Sequence, residues 1–157
     1  MLRLKECNDF MRMAGLAAEK STCHKIKIGA VLGVYTNKLD CYYKASSGYH
    51  GFIESCKIDK QGLCPDKIKC LAIRSEQRAL IEALSFFGRT LFDTNNKIRF
   101  ESALFLTHNP CDDSVKLCVY TGIKRIIYKE MYTGICYDKW EPYIEIIWFE
   151  DIKNDLP

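Results

Sequence analysis

Cys70-Leu-Ala-Ile-Arg-Ser-Glu-Gln-Arg-Ala-Leu80 is the stretch whose reading decides the fold. It opens a helix that runs from about Ile73 to Phe87 and is ended by Gly88. The pattern is that of a metal-site helix, but Arg74 stands where a histidine ligand is expected, two residues before Glu76. A second stretch, Pro110-Cys111-Asp112-Asp113-Ser114, also reads as a helix start. Proline is tolerated near a helix N-terminus, and acidic residues suit the first turn. That helix runs to Tyr120, with Gly122 as its stop.

Working outward, Asn8 or Asp9 caps a first helix ending near Lys20, with Phe10, Met13, Ala14, Leu16 and Ala17 on its apolar face. "KIGAVLGVY" (27–35) reads as a strand, Thr36-Asn37-Lys38 as a turn, and "DCYYKASSG" (40–48) as the hairpin partner. A long loop rich in Gly, Cys, Lys and Asp fills 49–69. Such a loop is usually functional or stapled by a metal. "SALFLT" (102–107) and "IKRIIYK" (123–129) are further strands, Trp140 to Ile144 a short helix, and "IEIIWF" (144–149) all or part of a last strand. Helices alternating with strands predict an α/β domain, a mixed sheet flanked by helices, spanning 1–157.

The 157 residues carry a net charge of +3 with basic and acidic residues interspersed, so charge gives no support to nucleic-acid binding. No apolar run is long enough to span a bilayer, and "MLRLKECNDF" has no signal-peptide core. The expectation is a cytoplasmic protein without membrane contact. Nine cysteines, an odd number, then point away from a disulfide framework and towards buried thiols, metal ligands or a reactive thiol.

Zinc deaminases are marked by H-x-E followed later by P-C-x-x-C, in which histidine and two cysteines hold the ion and glutamate moves the proton. "Arg74-Ser75-Glu76" and "Pro110-Cys111-Asp112-Asp113-Ser114" occupy those two slots. Around them the chain closely resembles the deoxycytidylate (dCMP) deaminases of the cytidine deaminase superfamily. "STCHKIKIGAVL" (21–32) resembles their S-T-C-x-R-x-x-V-G-A-V, "SGYHG" (47–51) their G-Y-N-G, and "CLAIRSEQRAL" their R-T-I-H-A-E-x-N-A. "LTHNPC" (106–111) and "TGIKRIIYKEMY" (121–132) resemble the strands on either side of the second zinc segment. The resemblance covers roughly Asp9 to Tyr132, in order. It implies a three-layer cytidine-deaminase-like fold with a central five-stranded mixed sheet. It also implies oligomers, often hexamers, that convert dCMP to dUMP, many under deoxynucleoside triphosphate control.

Two positions depart from the family. Arg74 replaces the histidine ligand and Ser114 the second cysteine, while Glu76 matches the proton shuttle and Cys111 the first thiolate. Arginine stays protonated and serine is a poor substitute for thiolate, so no zinc is expected at the catalytic position. Recruitment of Cys118 or His108 is the weaker alternative, because Cys118 matches an apolar position packed on the sheet. Arg74 is expected to pair with Glu76 or with the Cys111 thiolate and so restore the charge the dication would bring.

By the same resemblance His50 replaces an asparagine beside the nucleotide sugar, Lys25 matches a basic position that could face a phosphate, and Tyr128 and Tyr132 match paired tyrosines of which one could line the pocket. A loop histidine, a solvated lysine and half-buried tyrosines are the plainer readings. Cys56, Cys64 and Cys70, with His24 or His50, could hold a structural zinc, though their spacing is not that of a short zinc knuckle, and free thiols are the alternative. Asp112-Asp113 most simply favours the helix dipole. Tyr42-Tyr43 and Trp148-Phe149 most simply fill strand faces.

Four functions remain open. The first is an inactive deaminase fold that binds or senses a pyrimidine deoxynucleotide. The second is a non-catalytic subunit of a complex with an active deaminase; the expected assembly is a homo-oligomer or a hetero-oligomer with such a deaminase. The third is an enzyme using Cys111 as nucleophile, with Glu76 as acid or base. The last is an active dCMP deaminase with an atypical zinc site.

Overall fold

Strand β1 (Gly29–Thr36) lies inside the sheet and has its first six residues buried in the computed structural model, which describes residues 2–23, 25–51, 72–131 and 136–155. Helix α1 (Leu4–Glu19) precedes it and β2 (Cys41–Tyr49) follows. Then come α2 (Ser75–Phe87), β3 (Ser102–His108), α3 (Asp112–Tyr120), β4 (Arg125–Glu130), β5 (Glu145–Trp148) and α4 (Phe149–Asp155). The five strands form one mixed sheet in the order β2-β1-β3-β4-β5. β1 runs antiparallel to β2 and β3, while β3, β4 and β5 are parallel.

Side chains alternate across a strand with period two, and here both faces are dry. Ala30, Leu32, Leu104, Leu106 and Ile126 meet Ala79, Leu80 and Ala83 of α2 and Val115 and Cys118 of α3. Val31, Ala103, Phe105 and Ile127 meet Cys7, Phe10, Met11 and Ala14 of α1 and Phe149 of α4. Phe10 and Phe105 stack with centroids 4.6 Å apart, a pairing that adds about 1 kcal/mol beyond the area it buries.

Two glycines let helices press onto the hairpin. A Cβ at Gly29 would lie 2.0 Å from the carbonyl oxygen of Ala14, and one at Gly48 would lie 2.1 Å from that of Ser75. The second contact seats the start of α2 on β2. Ser46 Oγ donates to Ala79 O at 2.7 Å and Ser47 N to Glu82 Oε2 at 2.7 Å, fastening the same pair of elements.

Several boundaries differ from expectation. Helix α1 begins after Arg3 rather than at Asn8 or Asp9, because Glu6 Oε2 accepts from the Arg3 backbone N–H at 2.9 Å. Ile73 is not helical but bridges Gly51, so α2 starts at Ser75. Trp140 to Ile144 is not a helix: Asp138–Trp140 is one 3-10 turn, and Ile144 is buried at the entry to β5. Phe149 fills the core from the start of α4 rather than from a strand, and Trp148 is 40% exposed with its Nε1 donating to Lys129 O at 3.0 Å. Tyr42 is buried and its neighbour Tyr43 exposed, as alternation requires. Most of the 49–69 loop lies outside the described residues.

Candidate functional site

Residues from two helix starts converge where the parallel part of the sheet begins. Arg74 is the residue before α2, and Cys111 is the residue before α3. Both have extended backbone, which turns their side chains across the gap instead of along the helices. Arg74 Nη1 donates to Cys111 Sγ and, at 3.2 Å, to Ser114 Oγ. Cys111 Sγ and Ser114 Oγ are 3.2 Å apart. Ser114 Oγ in turn donates to Glu76 Oε1, and Ser75 Oγ donates to Glu76 Oε2 at 2.9 Å. Arg74 therefore pairs with the cysteine and not directly with Glu76, whose charge is met by two hydroxyls.

Burial divides this cluster in two. Glu76 is 6% exposed and Ser114 2%, while Arg74 and Cys111 are half-buried. The accessible side is a guanidinium and a thiol, and the carboxylate lies behind them. A buried carboxylate is tolerable only when hydrogen-bonded, and Ser75 and Ser114 supply those bonds.

His50 belongs to the same neighbourhood. Burial holds its pKa below the usual histidine value, with nearby Glu76 opposing the shift and Arg74 reinforcing it. Three contacts hold its segment in place. Ser21 Oγ donates to His50 O at 2.5 Å, Arg78 lies 4.2 Å over the Tyr49 ring, and Arg78 Nη2 donates to Gly51 O at 3.3 Å. Lys25 is exposed. Tyr128 is buried in the α2–α3 side of the core, where its ring stands 6.3 Å from that of Tyr137. His24, Cys56, Cys64, Cys70 and Tyr132 lie outside the described residues.

The two possible substitute ligands have other neighbours. Cys118 is fully buried in the core, and burial, with the charge of Glu76, pushes its thiol well up. His108 Nε2 lies 3.3 Å from Glu130, and Nδ1 lies 3.0 Å from Thr107 Oγ1. Asp112 does more than favour the helix dipole: it accepts from Lys139 Nζ and from Trp140 Nε1, the latter at 3.2 Å.

Residues without a sequence signal complete the site. Ser75 sits between two motif letters yet holds Glu76. Tyr137 donates to Pro110 O at 2.7 Å and accepts from Asn109 Nδ2 at 3.1 Å, fixing the turn that presents Cys111. Arg78 and Tyr49 clamp the His50 segment onto α2.

This sheet order, with the starts of α2 and α3 facing each other, is the cytidine-deaminase-like α/β fold. Over 94% of this chain and 99% of the other it superposes on the dCMP deaminase of cyanophage S-TIM5 in complex with dCMP and dUMP, with a TM-score of 0.66 and 21% identity. The deaminase/reductase of Thermotoga maritima superposes at a TM-score of 0.60 with 19% identity, covering 96% of this chain and 39% of that one. Residues 4–130 match the cytidine and deoxycytidylate deaminase zinc-binding region, and the chain belongs to that family. It is 31% identical over 134 residues to the deoxycytidylate deaminase of Schizosaccharomyces pombe and 30% identical over 132 residues to that of Saccharomyces cerevisiae. Each alignment covers 78% of this chain but only 36% and 37% of the yeast proteins, so the chain spans about a third of those relatives.

Proposed function

We propose that this chain is a non-catalytic, nucleotide-binding member of the deoxycytidylate deaminase family. One observation carries the reading. The three positions that would surround zinc close on each other through a guanidinium, Arg74 to Cys111 and Ser114. A guanidinium has no lone pair to give a metal. A serine hydroxyl is a weak donor to zinc, and a catalytic zinc needs three protein ligands. The donor set does not fit the ion. Glu76 keeps its place, with the hydroxyls of Ser75 and Ser114 donating to its two oxygens. What this leaves is a charged, partly exposed cluster near His50, which supports binding of a pyrimidine deoxynucleotide, with exposed Lys25 as the candidate phosphate contact.

The test uses protein expressed in zinc-supplemented medium. Zinc content, dCMP deamination and nucleotide binding by calorimetry are measured together, with Cys111→Ser alongside. The expected result is no Cys111-dependent zinc, no turnover and measurable binding. One zinc per chain that disappears in Cys111→Ser sinks the proposal, as does dCMP turnover.

A second reading, association with another copy or with an active deaminase, draws support from an apolar groove of about 420 Å³ between α2 and α3, lined in part by Leu80, Ile81, Leu84 and Leu117. Exposed Phe86 and Tyr120 lie on these same helices. A monomer in light scattering at micromolar concentration removes that support.

A further inference from the structure

The direction of every hydrogen bond in the cluster is set by its one cation. Arginine carries only donors, so Ser114 Oγ and Cys111 Sγ must both accept from Arg74. Ser114 then spends its single proton on Glu76, and Ser75 spends its proton on the other carboxylate oxygen. The carboxylate of the site is buried and served twice. Arg74 is half-buried, and its Nε and Nη2 have no hydrogen-bond partner among the described residues. A ligand arriving here meets two guanidinium nitrogens that make no hydrogen bond among the described residues.

In zinc deaminases the metal-bound hydroxide attacks C4 of cytosine. The motif match puts Arg74 at a zinc-ligand position, so a pyrimidine bound in the manner of those enzymes would bring its 4-position towards the guanidinium. Resting on the nucleotide-binding reading above, we infer that Arg74 makes this recess selective for 4-oxo pyrimidine nucleotides, of the uracil or thymine type, over 4-amino ones. A uracil edge brings a carbonyl with two lone pairs and a single N–H. A cytosine edge brings one ring lone pair and an amino group with two N–H bonds. Against an arginine fork the 4-carbonyl oxygen is complementary, while the N3–H must find its acceptor elsewhere. The cytosine amino group sets donor against donor, and a donor left unpaired on desolvation is costly. The preference is expected to be about tenfold or more in Kd.

The experiment is calorimetric titration of the full chain with dUMP and, separately, dCMP, repeated for Arg74→Gln and Arg74→Lys, with circular dichroism to confirm folding. Gln offers an acceptor as well as donors, so the ratio should fall to about twofold or less. Lys stays donor-only and should retain the preference. Equal or tighter binding of dCMP by the unaltered chain overturns the inference and leaves the nucleotide reading standing. A ratio unchanged in Arg74→Gln also overturns it. If neither nucleotide binds the folded chain, the nucleotide reading fails and this inference fails with it.

Discussion

Replacing Gly48 by alanine tests whether the close seat of α2 on β2 holds the site in place. The new Cβ would stand 2.1 Å from Ser75 O, 2.5 Å from Ala79 N and 3.0 Å from Arg78 Cβ. Non-bonded heavy atoms rest at about 3.5 Å, so α2 must lift by about 1 Å. Two of the three clashes are with backbone, which cannot swing aside as a side chain would. Overpacking of this kind costs about 1–3 kcal/mol. The lift also stretches the bonds from Ser46 to Ala79 and from Ser47 to Glu82, each worth about 1 kcal/mol. A loss of about 3 kcal/mol follows, which at a urea m-value of about 2 kcal/mol/M moves the midpoint down by about 1.5 M. Gly15→Ala is the control. Nothing lies within 4 Å of a Cβ there, and the residue is inside α1, so the same change should raise stability by about 0.5–1 kcal/mol. Urea unfolding followed by circular dichroism reads both. A Gly48→Ala midpoint equal to that of the parent, at unchanged m, refutes the reasoning.

Three further outcomes are expected. Burial holds both His50 and His108 below the usual histidine value, so the unfolded chain takes up protons first as pH drops through about 6.5. Stability should therefore be full above that pH and decline from pH 7 to 5, with His50→Gln and His108→Gln each flattening the slope in urea midpoints; a parent midpoint that rises on acidification contradicts this. With maleimide at pH 7 and peptide mass spectrometry, exposed Cys136 should label fast, while Cys118 and Cys7, whose thiol burial pushes up to about 11, should stay unlabelled until the chain unfolds. Cys111 should label and be protected by dUMP, and labelling of Cys118 at the Cys136 rate would contradict the packing. The double substitution Arg74→His with Ser114→Cys should bring zinc to one ion per chain, removable by Cys111→Ser; no zinc gain would mean that the recess has diverged beyond two ligands.

The central strands were legible because each is a short apolar run bounded by turn residues, and β1, β3 and β4 are buried on both faces. The start of α2 is not legible in the sequence because Ile73 is claimed by Gly51, a pairing between residues far apart in sequence. The start of α1 was hidden because Arg3 is not an N-capping residue type, and Glu6 makes the decisive bond. Helix α4 is too short and polar, as Phe-Glu-Asp-Ile-Lys-Asn-Asp, to announce itself by periodicity. At the site, the motif letters located Arg74, Glu76, Cys111 and Ser114, and ligand chemistry led to the expectation that Arg74 would pair with a neighbour. Ser75 and Tyr137 escaped because their roles depend on where a hydroxyl ends up in space, which no spacing rule records.

The relay from Arg74 through Ser114 to Glu76 also bears on ancestry. Residues in one network do not contribute independently. Histidine at 74 alone would leave Ser114 and Cys111 without their cation, and cysteine at 114 alone would take from buried Glu76 the hydroxyl that serves Oε1. Each single substitution towards the family pattern is thus expected to be less stable than the parent. If Arg74 and Ser114 replaced a histidine and a cysteine, the guanidinium would act as an evolutionary ratchet, since neither residue could revert alone without breaking the relay.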